Sequence, residues 1–187
     1  MVERTPGVAY SITVRSEYPN EPGMLGKITS AIGQAGGSAQ GVDVVQTSKG
    51  KMVRDFTINT SGHDNAAQVV EAIKSVENVK IRSVSDQTFL LHVGGKIEMR
   101  SRVAVTTRDD MSKAYTPGVG RVCMAIYDDP PAVWALTGKG HTVAVVSDGS
   151  AVLGLGDIGP AAALPVMEGK ALLFKEFGGV DAWPIVL

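Results

Sequence analysis

Cysteine occurs once in the 187 residues, at Cys123. A lone cysteine excludes a disulfide within the chain and suits a reducing cytosol. Histidine is scarce too, with three residues, and together with Cys123 they show no metal-ligand spacing. No apolar run reaches the roughly 18 residues that a spanning helix needs. An excess of one charge is also lacking: 18 Lys and Arg stand against 19 Asp and Glu. Without a basic cluster, nucleic acid is excluded as a main partner, and a membrane surface has no polybasic segment to attract. The opening "MVERTPGVAYS" lacks the apolar core of a secretory signal. These absences lead to an expectation of a soluble, cytoplasmic protein, with Cys123 read as a buried apolar residue. The chain is long enough for one ordinary domain or two small ones.

The first ninety residues carry clear periodicity. Residues 8–14 alternate, with Val8, Tyr10, Ile12 and Val14 on one face, as a half-buried strand does. "YPNEPG" interrupts the pattern as a loop. From Met24 the period becomes helical, with Leu25, Ile28, Ala31, Ile32 and Ala35 on one face, until Gly36-Gly37 ends it. Two β-rich runs follow, 42–47 and 52–60, joined by the hairpin turn "SKGK". Residues 64–77 are helical, with the stripe Ala66, Val69, Val70, Ile73 and Val76. "NVKIRSVSD" is a last strand. The order β-α-β-β-α-β predicts a ferredoxin-like two-layer domain.

Between the first strand and first helix lies "NEPGMLGKI", residues 20–28. Free N–H groups and the helix dipole favour a carboxylate there, and a glycine at position 23 removes the Cβ that would obstruct it. This stretch resembles the loop of ACT domains, regulatory modules that usually pair and often bind small effectors. The resemblance makes Gly23 a candidate effector-binding residue and a homodimer the expected assembly.

Beyond a boundary near residue 90 the pattern changes. Residues 87–110 read as a linker and an irregular entry into a second α/β unit, 91–187. Residues 119–127 and 130–136 look helical, 141–148 looks like a buried strand, 151–155 like a short one, 161–177 like a helix, and "AWPIVL" like another buried strand. Gly154, Gly156 and Gly159 satisfy G-x-G-x-x-G, the fingerprint of a dinucleotide loop. Asp157 inside the motif, Pro160 directly after it and the lack of a suitably placed acidic residue downstream count against a pyrophosphate there. The match is read as accidental, and the glycines as an aid to close packing of helix on strand.

"HVGGKIE", "AYTPGVGRVC" and "SDGSAVLGLGDIGPAAALPVMEGKALLFKEFGGVDAWPIVL" resemble the N-terminal catalytic region of bacterial malic enzymes, some of which carry an ACT domain ahead of it. The resemblance implies oxidative decarboxylation of malate to pyruvate and CO2 with NAD or NADP and a divalent metal, Mg or Mn. By motif it makes Tyr115 the proton donor and Lys170 the proton acceptor. It places the cofactor and metal sites mainly beyond Leu187, with none in this chain, so that the second unit reads as an incomplete substrate domain and the chain alone as inactive. Lys170 sits in an apolar helix, where partial burial would lower its pKa enough for a base. Where some members have an arginine that grips the substrate carboxylate, this sequence has Ser150-Ala151-Val152. The alternative is a non-enzymatic, small-molecule-sensing regulatory protein.

Overall fold

The computed structural model describes residues 5–48 and 50–187; Lys49, within the expected "SKGK" turn, lies outside them. The chain divides into two compact units, Met1–Val93 and Gly94–Leu187.

In the first unit, β1 (Gly7–Pro19), α1 (Met24–Gln34), β2 (Ser38–Ser48), β3 (Lys51–Thr60), α2 (His63–Lys74) and β4 (Lys80–Asp86) follow one another. The sheet order is β2-β3-β1-β4, with every neighbouring pair antiparallel. This is the ferredoxin-like arrangement expected from the sequence. Val14, Phe56 and Ile58 on the sheet meet Ile28, Ile32, Val69 and Ile73 on the helices, all fully buried.

Two details of the stripe differ. Helix α1 starts at Met24, so the residues in line are Met24, Ile28 and Ile32, while Leu25 turns partly to solvent. At about 100° per residue, Met24, Ile28 and Ile32 lie at roughly 0°, 40° and 80° around the helix, and Leu25, at about 100°, falls at the edge of that arc. Val8 is 80% exposed because pairing of β1 with β3 is irregular between Gly7 and Ser11.

Ion pairs tie the strands across their register. Arg15 donates two hydrogen bonds to its cross-strand partner Asp55, at 2.8 and 2.7 Å. Glu17 on β1 accepts from Lys51 of β3 at 2.8 Å and from Arg82 of β4, so one carboxylate joins three strands. The Lys51 hydrogen bond foremost, then that of Arg82, holds the Glu17 carboxyl at about 2. A depressed carboxyl stabilises the fold above its ordinary pKa near 4.5, and that contribution disappears as pH falls toward about 2. Glu17→Gln is therefore expected to flatten the acid limb of the first unit's stability. Amide exchange at Val14 and Phe56 between pH 6 and pH 2.5 checks this (test conditions, spanning the window above); equal slopes in both proteins would remove Glu17 as a cause.

The stretch after β4, expected to be linker, forms helix α3 (Gln87–His92). Asp86 caps it by accepting from the Thr88 and Phe89 amides at 2.8 and 3.2 Å. Thr88 Oγ1 donates to the Ala9 carbonyl at 3.0 Å, which fastens α3 to β1. A helix of six residues is too short to display a period; the Asp cap was its only sequence signal.

The second unit contains α4 (Arg108–Ala114), α5 (Val119–Asp128), a 3-10 turn at Pro130–Ala132, α6 (Val133–Leu136), another at Gly138–His141, β5 (Thr142–Ser147), α7 (Gly159–Gly178) and β6 (Asp181–Val186). Helix α4 opens with a capping box between Thr107 and Asp110. Strands β5 and β6 pair in parallel, Thr142 opposite Asp181, with α7 as the crossover. Both strands were expected to be buried, yet only Val145 of β5 and Pro184 of β6 are. Val146, Trp183 and Ile185 are exposed, because a two-stranded sheet served by one helix leaves a face uncovered. Residues 151–155 form no strand: Val152 and Gly156 close a tight turn through one isolated bridge. Cys123 is exposed, contrary to expectation. It lies on α5, which packs beside the short helices α4 and α6 and buries none of its residues. No helix among the described residues is long and apolar enough to cross a membrane.

Candidate active site

Helix α7 begins where the glycine loop ends. Pro160 occupies its first turn, where the missing N–H is harmless, and Pro165 lies inside it. Gly154, Gly156 and Gly159 have φ of 78°, 80° and 75°, a backbone region that glycine enters freely. A Cβ built on any of these three would meet nothing within 4 Å, so backbone angle requires them rather than close packing. The close approach is at Gly149, where a Cβ would stand 2.1 Å from the Gly159 carbonyl oxygen. The Ile158 amide donates to the Gly149 carbonyl at 3.2 Å, fastening the "SDGS" turn to the start of α7. Gly149 and Gly159 lie ten positions apart, a contact that no local pattern discloses.

Acidic side chains hold these loops from within. Asp157 accepts from the Gly159 amide at 3.2 Å, occupying a donor that a phosphate would use. Asp148 accepts from the amide and hydroxyl of Ser150 at 2.9 and 2.7 Å. The Ser150 amide, then its hydroxyl, holds the Asp148 carboxyl below the usual carboxylate range.

Lys170 lies near the middle of α7 and is exposed, so the expected partial burial is absent. Helix α7 is apolar on nearly every side, but the residues it buries are Ala163 and Ala171. Lys170 is one step around the helix from Ala171 and falls outside the covered stripe. It borders a shallow groove of about 360 Å³ with Leu173, Phe174, Phe177 and Gly178. Tyr115 closes α4 as its C-cap, and its side chain is exposed. Backbone bonds from Tyr115 to the Met111 carbonyl (2.8 Å) and from Val119 to the Tyr115 carbonyl (2.7 Å) fix its position. The cis Thr116–Pro117 bond follows directly. Tyr115 and Lys170 thus stand on separate elements, each open to solvent, and the groove at Lys170 is lined by α7 alone.

A second, larger cavity of about 1010 Å³ is lined by Arg100, Arg102, His141, Lys175 and Asp181, among others. Asp181 receives both Lys175 and His141, and the Lys175 hydrogen bond lowers its carboxyl below the usual range. Among the described residues, no group of three His, Cys, Asp or Glu side chains is placed to hold a metal ion.

In the first unit, Gly23 is the N-cap of α1 at φ 88°, with no side-chain cap. A Cβ there would meet nothing within 4 Å, so the space beside the helix start is open.

Residues 94–187 match the family described as the malic enzyme N-terminal domain, and residues 6–82 match the ACT domain. The chain is 55% identical over 181 residues to the NAD-dependent malic enzyme of Geobacillus stearothermophilus, covering 97% of this chain and 38% of that protein. NAD-dependent malic enzyme 1 of Bacillus subtilis is 37% identical over 176 residues, covering 94% of this chain and 40% of that one. The chain thus spans about two fifths of the length of these relatives. Among solved structures, the NAD-dependent malic enzyme of Thermotoga maritima superposes with a TM-score of 0.52 at 51% identity, over 55% of this chain and 29% of that one. The chain belongs to the malic enzyme family, with an ACT domain ahead of the malic enzyme N-terminal domain.

Proposed function

We propose that the protein takes part in the oxidative decarboxylation of malate to pyruvate and CO2, in the cytoplasm, under control of its ACT domain. The match of residues 94–187 to the malic enzyme N-terminal domain carries this reading. Lys170 accepts the proton of the malate C2 hydroxyl, and Tyr115 returns a proton to C3 of the enolpyruvate formed after CO2 leaves. Exposure keeps both groups reachable by substrate, and the fixed backbone at Tyr115 directs its phenol.

The reaction uses a nicotinamide as hydride acceptor and a divalent ion. The described residues of this chain fit neither. They contain no three-ligand metal cluster, and the glycine loop commits its Gly159 amide to Asp157. The roles assigned here are therefore those of proton transfer alone. With Ser150-Ala151-Val152 in place of an arginine, the substrate carboxylate is held by other groups.

The open αL N-cap at Gly23 supports an effector with a carboxylate, received by the first-turn amides of α1. The edge strand β2 exposes Val44 and Val45, which supports pairing with a second copy of the chain.

Tyr115→Phe in the active enzyme bearing this chain tests the assignment. Turnover should fall roughly 10²–10⁴-fold, the range for a lost general acid. Malate oxidation should proceed faster than ketonisation, so enolpyruvate should be released and trapped as an excess over wild type. Unchanged turnover would remove Tyr115 from the mechanism.

A further inference from the structure

Contacts between Gly95-Lys96 and the turn of α7 just before Lys170 have no part in the proton transfers above. The Lys96 amide donates to Glu168 Oε2 at 3.2 Å, and Lys96 Nζ donates to the Pro165 carbonyl at 2.6 Å. Gly95, at φ 85°, runs so near that a Cβ would stand 3.0 Å from Glu168 Oε1. A methyl group there would press on the carboxylate, so glycine permits the approach. The segment therefore lies across α7 from Pro165 to Glu168.

That stretch of helix needs support. Pro165 has no N–H to donate to the carbonyl one turn earlier, so a rung of the helix is missing there. Lys170 follows within the next two turns. A break at this place lets the second half of the helix change direction relative to the first. The strap bonds the helix between the missing rung and Lys170. Glu168 is half-buried, with its carboxylate on a backbone amide instead of in solvent.

We propose that Glu168 is a positioning residue for Lys170: by holding the Gly95-Lys96 strap across the Pro165 turn, it fixes the direction in which α7 presents Lys170 to substrate. This rests on the reading of Lys170 as the proton acceptor. Misplacement of a reacting group by about 1 Å costs up to roughly 10²-fold in rate, which sets the scale.

The test compares Glu168→Ala, Glu168→Gln and Lys170→Ala in the active enzyme bearing this chain. Glu168→Ala should lower kcat about tenfold to a hundredfold while KM for malate stays within about twofold, since the reacting group is misdirected and malate binding is kept. Glu168→Gln should recover most of the rate, because its amide oxygen still accepts from the Lys96 N–H. Hydrogen exchange at Lys96 should quicken in the alanine variant and remain slow in the glutamine variant. A parental kcat in Glu168→Ala beside an inactive Lys170→Ala overturns the positioning role alone, as does a glutamine variant no better than alanine. Parental turnover in Lys170→Ala overturns the base assignment and this inference with it.

Discussion

Lys170→Ala is expected to cost malate oxidation roughly 10²–10⁴-fold in kcat, the loss typical of a removed general base. The C2 hydroxyl is too weak an acid to lose its proton unaided, and hydride departure from C2 requires that loss. An ammonium cannot accept a proton, so the amine must be free when malate is bound. In this chain Lys170 is exposed, so its amine is open to substrate. The decisive readout is the comparison of the two half-reactions, of which only malate oxidation should be lost in the alanine variant. Oxaloacetate decarboxylation should survive in the variant, because it starts after the hydroxyl proton has gone. A variant that oxidises malate at the parental rate would show that another group takes the proton.

Phe56→Ala should have the largest effect on stability. Phe56 is wholly buried on β3, between Val14 of β1 and Val42 of β2 in the ladder, with the Tyr18 ring centroid 6.4 Å away. Truncating a buried phenylalanine costs about 3–5 kcal/mol, since transfer energy is lost and the cavity does not fully collapse. Small domains have about 5–15 kcal/mol in total, so this one change removes a large part of the first unit's stability. Amide exchange read residue by residue should show faster opening throughout β1, β3 and α2, with residues of α7 unaffected. A loss below about 1 kcal/mol would mean that the core around Phe56 closes up, against the packing seen.

The two units differ in how much their sequences disclosed. In the first, the alternation of Ile12 and Val14 and the helical spacing of Ile28 and Ile32 report a single covered face, so pattern and burial agree. In the second, pattern and burial part. The runs of β5 and β6 are apolar on both sides, yet Val146 and Ile185 face solvent, because a hydrophobic run records what a strand can bury, not what is there to cover it. Cys123 and Lys170 were misjudged for the same reason: each sits in an apolar helix whose surroundings the local pattern does not describe. The tyrosine and lysine are proposed on motifs alone, since periodicity would not single them out. Glu168 carried no signal, since its partner lies 72 positions away and a glutamate on a helix is ordinary.

The place of β1 in its sheet bears on how the protein emerges from the ribosome. The earliest strand made is an inner one, and both its neighbours come later: β3 brings Phe56 opposite Val14, and β4 brings Val84 opposite the same residue. Ladder contacts reaching from Ile12 to Asp86 give the unit a high contact order, and such topologies fold slowly. Until Asp86 has left the exit tunnel, one side of β1 has no intramolecular strand to pair with. Its unpaired edge is then open to other nascent chains, and holding β1 apart from them during synthesis becomes a task for whatever chaperone meets the growing chain.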